Sequence, residues 1–250
     1  MAVGPIEQFE IRDILHLGKI GSLDFSLTNS ALYMLLAVAV TAALMLGATS
    51  ARALIPGRLQ SIAELAYEFV ANNIRDTIGE EGMQFFPLVF SLFMFIFVSN
   101  MIGLIPFAFT VSSHIVVTAA LALLVFLTVV VYGLWKNGVH FFRVFVPSGV
   151  SPWLLPLVVP IEVFSFFIRP VSHSVRLFAN MLAGHITLAV FGFFATLLSG
   201  LGALGFLGSV LPLGLIVALT ALELLVAFLQ AYVFAILTCI YLRDALHPGH

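Results

Sequence analysis

The apolar part of this sequence contains very few charged residues, and their types suggest proton chemistry. Between Met83 and Leu242 only six residues are Asp, Glu, Lys or Arg, and four of these lie within apolar runs. The four are Glu162, Arg169, Arg176 and Glu223. A charge near the bilayer centre costs about 2.5 to 3.5 kcal/mol even on insertion scales, so such residues are expected to have a function.

The two arginines have different expected roles. Arg169 directly precedes Pro170, and its long side chain can reach the membrane interface, so we expect a structural anchor there. Arg176 lies well inside the apolar run and is followed one helical turn later by Asn180. A guanidinium stays charged, so at this position it repels passing protons and attracts a carboxylate.

The last two apolar helices are predicted to form an antiparallel hairpin around the glycine-rich stretch Ser199–Gly208. Residues 176 and 230 are equidistant from position 203, which puts Arg176 level with Gln230. Residues 185 and 223 are equidistant from position 204, which puts His185 level with Glu223.

His185 and Glu223 are therefore predicted to form an acid–base pair. Their reference pKa values, about 6.5 and 4.3, are close enough to neutrality for both groups to exchange protons once they are buried and paired. Glu223 is expected about 10 Å along its helix from the level of Arg176, and Glu162 lies beyond the break at Pro170. The carboxylate that pairs with Arg176 is accordingly expected on another subunit.

Helical spacing adds two polar residues to the face that carries Glu223. The seven steps from Glu223 to Gln230, and the eleven from Gln230 to Tyr241, each return to within about 20° of the same direction. These three side chains are predicted to form one polar stripe along the last helix.

The remaining polar residues of the apolar runs have two readings. Asn180 and Gln230 either support the arginine or act as interhelical hydrogen-bond glue. The same two roles, functional and structural, are open for Asn100, which lies inside the second apolar run. His114 and His173 are either packing residues near helix ends or members of the proton path.

The composition determines the setting of these residues. Of 250 residues, 62% are hydrophobic and only 9% charged, and the mean hydropathy is +1.16. Soluble domains carry about 25% charged residues, so this composition predicts an all-α integral membrane protein. About 20 residues are needed per crossing, and the chain accommodates five. The predicted crossings cover about residues 30–50, 85–107, 115–135, a fourth run that ends near 198, and 213–242.

Two further segments are not ordinary crossings. Residues of about 58–80 have apolar side chains at helical spacing with charges between them, which predicts an amphipathic helix on the membrane surface. The proline-rich Trp153–Ile168 is predicted to be separated from the fourth crossing at Pro170, either entering the membrane obliquely or lying near its surface. A six-crossing count therefore stays open.

The domain organisation and orientation follow from polarity. Residues 1–29 are predicted to form a polar tail, and 30–250 a single membrane domain whose functional hairpin covers about 171–242. With five crossings, the basic residues fall mostly on one side of the membrane: Arg52, Arg58, Arg75, Lys136, Arg143 and Arg243, against Arg12 and Lys19. This places the N-terminus outside and the C-terminus in the cytoplasm.

Several function classes are excluded by the sequence. Ten basic residues against twelve acidic ones leave no basic surface for nucleic acid. The single Cys239 cannot form an intrachain disulfide or a cysteine metal cluster. The sequence contains neither the phosphate-binding motif G-x-x-x-x-G-K-[ST] nor the zinc motif H-E-x-x-H, so we expect no nucleotide hydrolysis, no metal and no cofactor.

Four stretches carry a resemblance to a known family. They are PVSHSVRLFANMLAGH (Pro170 to His185), ELLVAFLQAYVFAILTCIYL (Glu223 to Leu242), SNMIGLIP (Ser99 to Pro106) and the N-terminal PIEQFEI. The sequence resembles subunit a of the rotary F-type ATP synthases over essentially its whole length. The resemblance implies a stator that offers two aqueous half-channels to a rotating ring of c subunits.

The resemblance also implies roles for individual residues. Arg176 would interact with the ring carboxylate and prevent a proton short-circuit, supported by Asn180 and Gln230. His185 and Glu223 resemble the outer half-channel, to which Asn100 would contribute, and Glu162 resembles the acid of the inner one. His173 and Tyr241 are counted as supporting polar residues.

The partners implied by the resemblance are the c-subunit ring, the b-type subunits of the peripheral stalk, the other ATP synthase subunits and the lipid bilayer. A bacterial inner membrane is the expected location. Two other hypotheses stay open on the residues alone. One is a self-contained secondary transporter, although the internal repeats common in such folds are not evident. The other is a structural membrane scaffold, which would tolerate neutral replacements at the intramembrane charges.

Overall fold

The computed structural model describes residues 13–20, 23–50, 56–105, 108–146 and 151–247. The N-terminal PIEQFEI stretch, Arg12 and Arg52 lie outside the described residues, as does the end of the Ser99–Pro106 motif.

Six α-helices carry most of the described chain. They are α1 (Asn29–Ser50), α2 (Arg58–Thr77), α3 (Phe86–Gly103), α4 (Ile115–Asn137), α5 (Leu155–Ser199) and α6 (Ala203–Leu246). Within the described ranges, every one of these helices except α2 is long and apolar enough to cross a membrane, which gives five candidate spans. The predicted all-α membrane class with about five crossings is confirmed.

A β-hairpin precedes the first helix, in the region expected to be a polar tail. Strands β1 (Asp13–Ile20) and β2 (Leu23–Thr28) pair antiparallel, with Asp13 opposite Thr28. Ser26 Oγ donates a hydrogen bond of 2.7 Å to the carboxylate of Asp13. The signal was present in the sequence as a period-two alternation of apolar and polar residues in LDFSLT.

Helix α1 begins where this hairpin ends. Thr28 Oγ1 accepts a 3.2 Å hydrogen bond from the backbone N–H of Ala31. A threonine in this place satisfies one of the amides that a helix N-terminus leaves without an intrahelical partner. The strand therefore passes directly into the first membrane span.

Helix α2 has the amphipathic character that its sequence predicted. Its C-terminal half packs inward through Val70, Ala71 and Ile74, which are at most 1% exposed. Leu59, Ile62 and Leu65 in its first half are exposed. An apolar stripe that continues beyond the packed part of a helix suits a helix lying on a membrane surface.

The prediction of a break before Pro170 is wrong. Helix α5 is a single helix of 45 residues that contains both Pro160 and Pro170. A proline removes one backbone donor, and in a membrane protein neighbouring groups can satisfy the carbonyl that loses it. The segment Trp153–Ile168 is therefore mostly the first part of α5.

The hairpin turn is shorter than the glycine-rich stretch suggested. Helix α5 ends at Ser199 and α6 begins at Ala203, ten residues before the predicted start of the fifth crossing. Gly202 has a φ of 85°. This left-handed conformation is inexpensive only for glycine, so Gly202 explains where the chain reverses.

The described chain divides into two compact units. The first comprises the described residues of Met1–Ala43, Phe95–His114 and Leu177–Gln230. The second comprises those of Leu44–Met94, Ile115–Arg176 and Ala231–His250. The polar residues of interest therefore fall into two separate groups, which are described in turn below.

Candidate functional site

His185 and Glu223 are in direct contact inside the first unit. Nδ1 of His185 lies 2.8 Å from Oε1 of Glu223, and the two side chains are 11% and 6% exposed. His185 belongs to α5 and Glu223 to α6. The antiparallel hairpin thus brings together the two residues that its midpoint predicted to be level.

Polar groups surround both ring nitrogens of His185. Nδ1 also lies 3.0 Å from the carbonyl oxygen of Met181, and Nε2 lies 2.8 Å from that of Gly103. The hydroxyl of Thr110 lies equally close to Nε2 and can either donate or accept, so these contacts fit more than one protonation form of the ring. Each ring nitrogen of His185 therefore has oxygen partners within hydrogen-bond distance.

Gly184 allows the carboxylate of Glu223 to approach helix α5 closely. A Cβ atom added at Gly184 would lie 2.5 Å from Oε1 of Glu223 and 3.1 Å from its Cδ. No side chain can occupy that space while Glu223 stays where it is. The glycine beside His185 is thus part of the geometry of the pair.

A buried loop between α3 and α4 supplies hydroxyl groups to the pair and to its surroundings. Thr110 Oγ1 lies 2.8 Å from Nε2 of His185, and Ser112 Oγ donates a 2.6 Å hydrogen bond to Oδ1 of Asn100. Thr110 and Ser112 are 2% and 4% exposed. The sequence interpretation missed both residues, although TVSSH is a polar run between two apolar ones.

Asn100 ties this loop to the last helix. Its side chain is fully buried, and Nδ2 donates a 3.3 Å hydrogen bond to the carbonyl oxygen of Ala227. Ala227 follows Glu223 by one helical turn. Asn100 therefore joins the loop between α3 and α4 to the helix that carries Glu223.

A cavity of about 270 Å³ opens beside the pair. Its polar lining comes from Asn180, Thr187 and Glu223, and Gly184 also borders it. The rest of the lining is apolar. Glu223 thus faces His185 on one side and an open cavity on the other.

The second unit contains a separate ionic cluster. Nη1 of Arg169 lies 2.8 Å from Oδ2 of Asp244, and Nη2 lies 3.7 Å from Oε1 of Glu162. The guanidinium also lies 5.0 Å from the ring centroid of Tyr241 and 5.5 Å from that of Phe166. Arg169 is therefore ion-paired to an acid on α5 and to an acid on α6. The sequence predicted an interfacial anchor at Arg169 but neither of these two partners.

His173 and Tyr241 are part of the packing of the second unit. The imidazole of His173 is 4% exposed, and its ring centroid lies 3.8 Å from that of Phe234. Neither of its ring nitrogens has a hydrogen-bond partner within the described chain. This arrangement favours the packing reading of His173, while Tyr241 contacts the cation of Arg169.

The remaining predicted site residues also lie on the last two helices. Arg176 and Asn180 are exposed on α5, whereas Gln230 is 5% exposed on α6. Arg176 therefore reaches the surface of this chain within one of its apolar spans.

Fold and site together define a multi-pass membrane protein with a buried acid–base pair and a fixed cation in its last two spans. The chain belongs to the ATP synthase A chain family, whose model matches residues 31–243. Members of this family are proton-translocating stator subunits of the F-type ATP synthase. The chain is therefore such a subunit, working with the other ATP synthase subunits, and not an enzyme in its own right.

Similar proteins match this chain from end to end. ATP synthase subunit a of Rhodopseudomonas palustris (strain BisA53) is 68% identical over 248 residues, which is 99% of this chain and all of the relative. ATP synthase subunit a of Bradyrhizobium diazoefficiens is 66% identical over all of both chains. That of Nitrobacter winogradskyi is 65% identical over 98% of this chain and 99% of the relative. The resemblance found in the sequence motifs is confirmed.

Proposed function

We propose that the His185–Glu223 pair is the outer half-channel's proton donor to the carboxylates of a rotating c-subunit ring. The observation that carries the proposal is the buried 2.8 Å contact between an imidazole and a carboxylate that also borders an open cavity. Glu223 contacts His185 on one side and borders the cavity on the other. It can therefore receive a proton from the imidazole and release it into the cavity. Asn100 and the hydroxyls of Thr110 and Ser112 line the approach to the pair.

The pair can transfer one proton per cycle with its charges balanced. The proposed cycle starts with a proton on each ring nitrogen of His185 and none on Glu223. Movement of the Nδ1 proton to Oε1 makes both groups neutral. Glu223 then gives this proton to an ionised ring carboxylate across the cavity, and His185 regains a proton from the outside. The neutralised ring carboxylate can enter lipid at a lower cost than a charged one.

Arg176 acts as the fixed cation between the entry and exit paths. Its charge favours the ionised form of a ring carboxylate in front of it and repels a proton that would cross directly. Asn180, one helical turn away, and the buried Gln230 support it. Its exposure on α5 leaves the guanidinium accessible to a neighbouring subunit.

Glu162 accepts protons that leave the ring toward the cytoplasm. Its side chain is 29% exposed, which leaves part of the carboxylate at the surface of the chain. The excess of basic residues in the predicted inner loops supports an outside N-terminus and a cytoplasmic C-terminus. The similar proteins come from bacteria, which supports a bacterial inner membrane, and b-type subunits of the peripheral stalk are the further expected partners.

Replacement of Arg176 tests the central part of this proposal. Arg176→Ala is expected to abolish both ATP-driven proton pumping and proton-driven ATP synthesis in membrane vesicles, while the complex still copurifies. Arg243→Ala is the matched control, because Arg243 is an exposed arginine in the last turn of α6. Normal coupling in an assembled Arg176→Ala complex would refute the role given to Arg176.

A further inference from the structure

A 3₁₀ helix, Gly138–Phe145, directly follows the last turn of α4 and has a different character on each of its edges. In such a helix, side chains three residues apart lie above one another. Val139 and Phe142 share one edge, and they are 82% and 56% exposed. His140 and Arg143 share the next edge, and both are exposed as well. This 3₁₀ segment therefore presents an apolar edge beside an edge that carries a cation.

Aromatic packing holds the 3₁₀ segment in place. Gly138 has a φ of 53°, a left-handed conformation that suits glycine and turns the chain at the end of α4. Phe141, on the third edge, is buried, and a Cβ atom added at Gly133 of α4 would overlap its ring. The ring of Phe145 lies 5.3 Å from that of Phe166 on α5. The exposed edges are therefore fixed in direction by the packing of the rest of the segment.

Both tryptophans of the chain flank the 3₁₀ segment in the sequence. Trp135 lies in the last turns of α4 and Trp153 directly before α5, and they are 83% and 89% exposed. An indole has an apolar body and a polar N–H, so tryptophan concentrates where a membrane span leaves the hydrocarbon and enters the headgroup layer. The two side chains thus mark the 3₁₀ segment as a connection at the level of the lipid headgroups.

The two cations of this region differ in their partners. Nζ of Lys136 lies 3.2 Å from Oε2 of Glu81, so its charge is balanced within the chain. The exposed guanidinium of Arg143 lies within ion-pair distance of no carboxylate among the described residues. A cation of this kind beside exposed apolar side chains complements an anionic lipid, whose acyl chains meet the apolar edge while its phosphate meets the guanidinium.

We propose that the 3₁₀ segment lies in the membrane interface and that Arg143 binds the phosphate headgroup of an anionic phospholipid there. Val139 and Phe142 enter the outer part of the hydrocarbon. The guanidinium can donate two parallel hydrogen bonds to phosphate oxygens. The orientation proposed above puts the segment on the cytoplasmic side, where anionic lipids give the leaflet a negative surface potential. The bound lipid ties the connection between α4 and α5 to the membrane surface.

The test uses a fluorescent reporter on the apolar edge of the segment in the complete ATP synthase. Val139→Cys introduces an exposed thiol for a bimane label, whereas the natural Cys239 is buried. The other subunits are prepared without accessible cysteines. The labelled complex is placed in two nanodisc preparations of identical lipid composition, in which either the phosphatidylglycerol or the phosphatidylcholine carries bromine on its acyl chains. Bromine quenches a nearby fluorophore, so the two preparations report which lipid lies beside the segment.

Brominated phosphatidylglycerol is expected to quench the label about twofold or more strongly than brominated phosphatidylcholine, because a cation near the surface enriches anionic lipid. Arg143→Gln in the same labelled chain should remove this preference. Arg143→Lys keeps the charge and should keep most of the preference. Arg75→Gln is the matched control, because Arg75 is ion-paired with Glu80 at 3.2 Å and its loss should leave the preference unchanged.

Three results would overturn the inference. Quenching by neither lipid would mean that another subunit or water covers the 3₁₀ segment. Equal quenching by both lipids would mean that the segment enters the membrane without selecting anionic headgroups. A preference for phosphatidylglycerol that persists in Arg143→Gln would mean that Arg143 is not the residue that binds the lipid.

Discussion

Nδ1 of His185 lies 2.8 Å from Oε1 of Glu223, across the hairpin formed by the last two helices. Both nitrogens of His185 face oxygen atoms, and the carbonyls among them accept only from a ring nitrogen that carries a proton. The hairpin therefore does more than align two polar residues: it holds an imidazole and a carboxylate within hydrogen-bond distance of each other. The predictions below follow from this arrangement and from the loop that contacts it.

Replacing the acid of the pair should impair coupling strongly. Glu223→Gln keeps the shape of the side chain but removes its ability to take and release a proton. We expect ATP-driven proton pumping to fall by about tenfold or more, in line with the loss of a positioned acid–base group. Fluorescence quenching of a pH-sensitive dye in vesicles measures the rate. Glu81→Gln, at an exposed acid paired with Lys136, is the control, and equal rates for the two variants would contradict the assignment.

A methyl group at Gly184 should have a similar but smaller effect. In Gly184→Ala the new Cβ would occupy space 2.5 Å from Oε1 of Glu223, so the carboxylate must move away from α5. We expect pumping to fall several-fold in a complex that still assembles. Gly192→Ala is a close control on the same helix, since a Cβ there meets nothing within 4 Å. If both alanine variants pump at the wild-type rate, the close approach has no functional importance.

The hydroxyl of Thr110 should matter more than its shape. Thr110→Val removes the group 2.8 Å from Nε2 of His185 and leaves a side chain of nearly equal volume. We expect slower proton-driven ATP synthesis and a loss of about 1 kcal/mol of stability, the usual value of one hydrogen bond. Thr110→Ser keeps the hydroxyl and should retain most of the activity. Serine and valine variants that behave alike would show that Thr110 acts through packing alone.

His114 should make the stability of the protein depend on pH. Burial lowers the pKa of His114 below its ordinary value, and its ring stacks on Phe109 at a centroid distance of 4.7 Å. The unfolded chain therefore binds a proton here at a pH where the folded chain does not, so stability falls as pH decreases through about 6.5. His114→Phe keeps a stacking ring without the titrating group.

Thermal unfolding of the purified complex checks this prediction. The midpoint is compared between about pH 7.5 and about pH 5.5, on either side of the reference value for histidine. The His114→Phe complex should lose less stability over that interval than the wild type. An unchanged difference between the two pH values would assign the effect to other groups.

Much of the last hairpin could be predicted because helical geometry is regular. Rise per residue and the position of the turn fix which residues are level, and this was sufficient to pair His185 with Glu223. The prediction failed at Pro170. The general effect of proline on a helix predicted a break there that α5 does not have. Local rules fail there because neighbouring groups in a packed membrane protein can satisfy the carbonyl that proline leaves without a donor.

The sequence by itself determined the membrane class, the five crossings, the family and the residues that carry charge into the apolar spans. Hydropathy and spacing encode these features locally, within a single helix or hairpin. Only the tertiary structure decided that Thr110 and Ser112 reach His185 and Asn100, and that Arg169 binds Asp244. These contacts join segments far apart in the chain, so they depend on how helices and loops pack, which no local pattern of residues specifies.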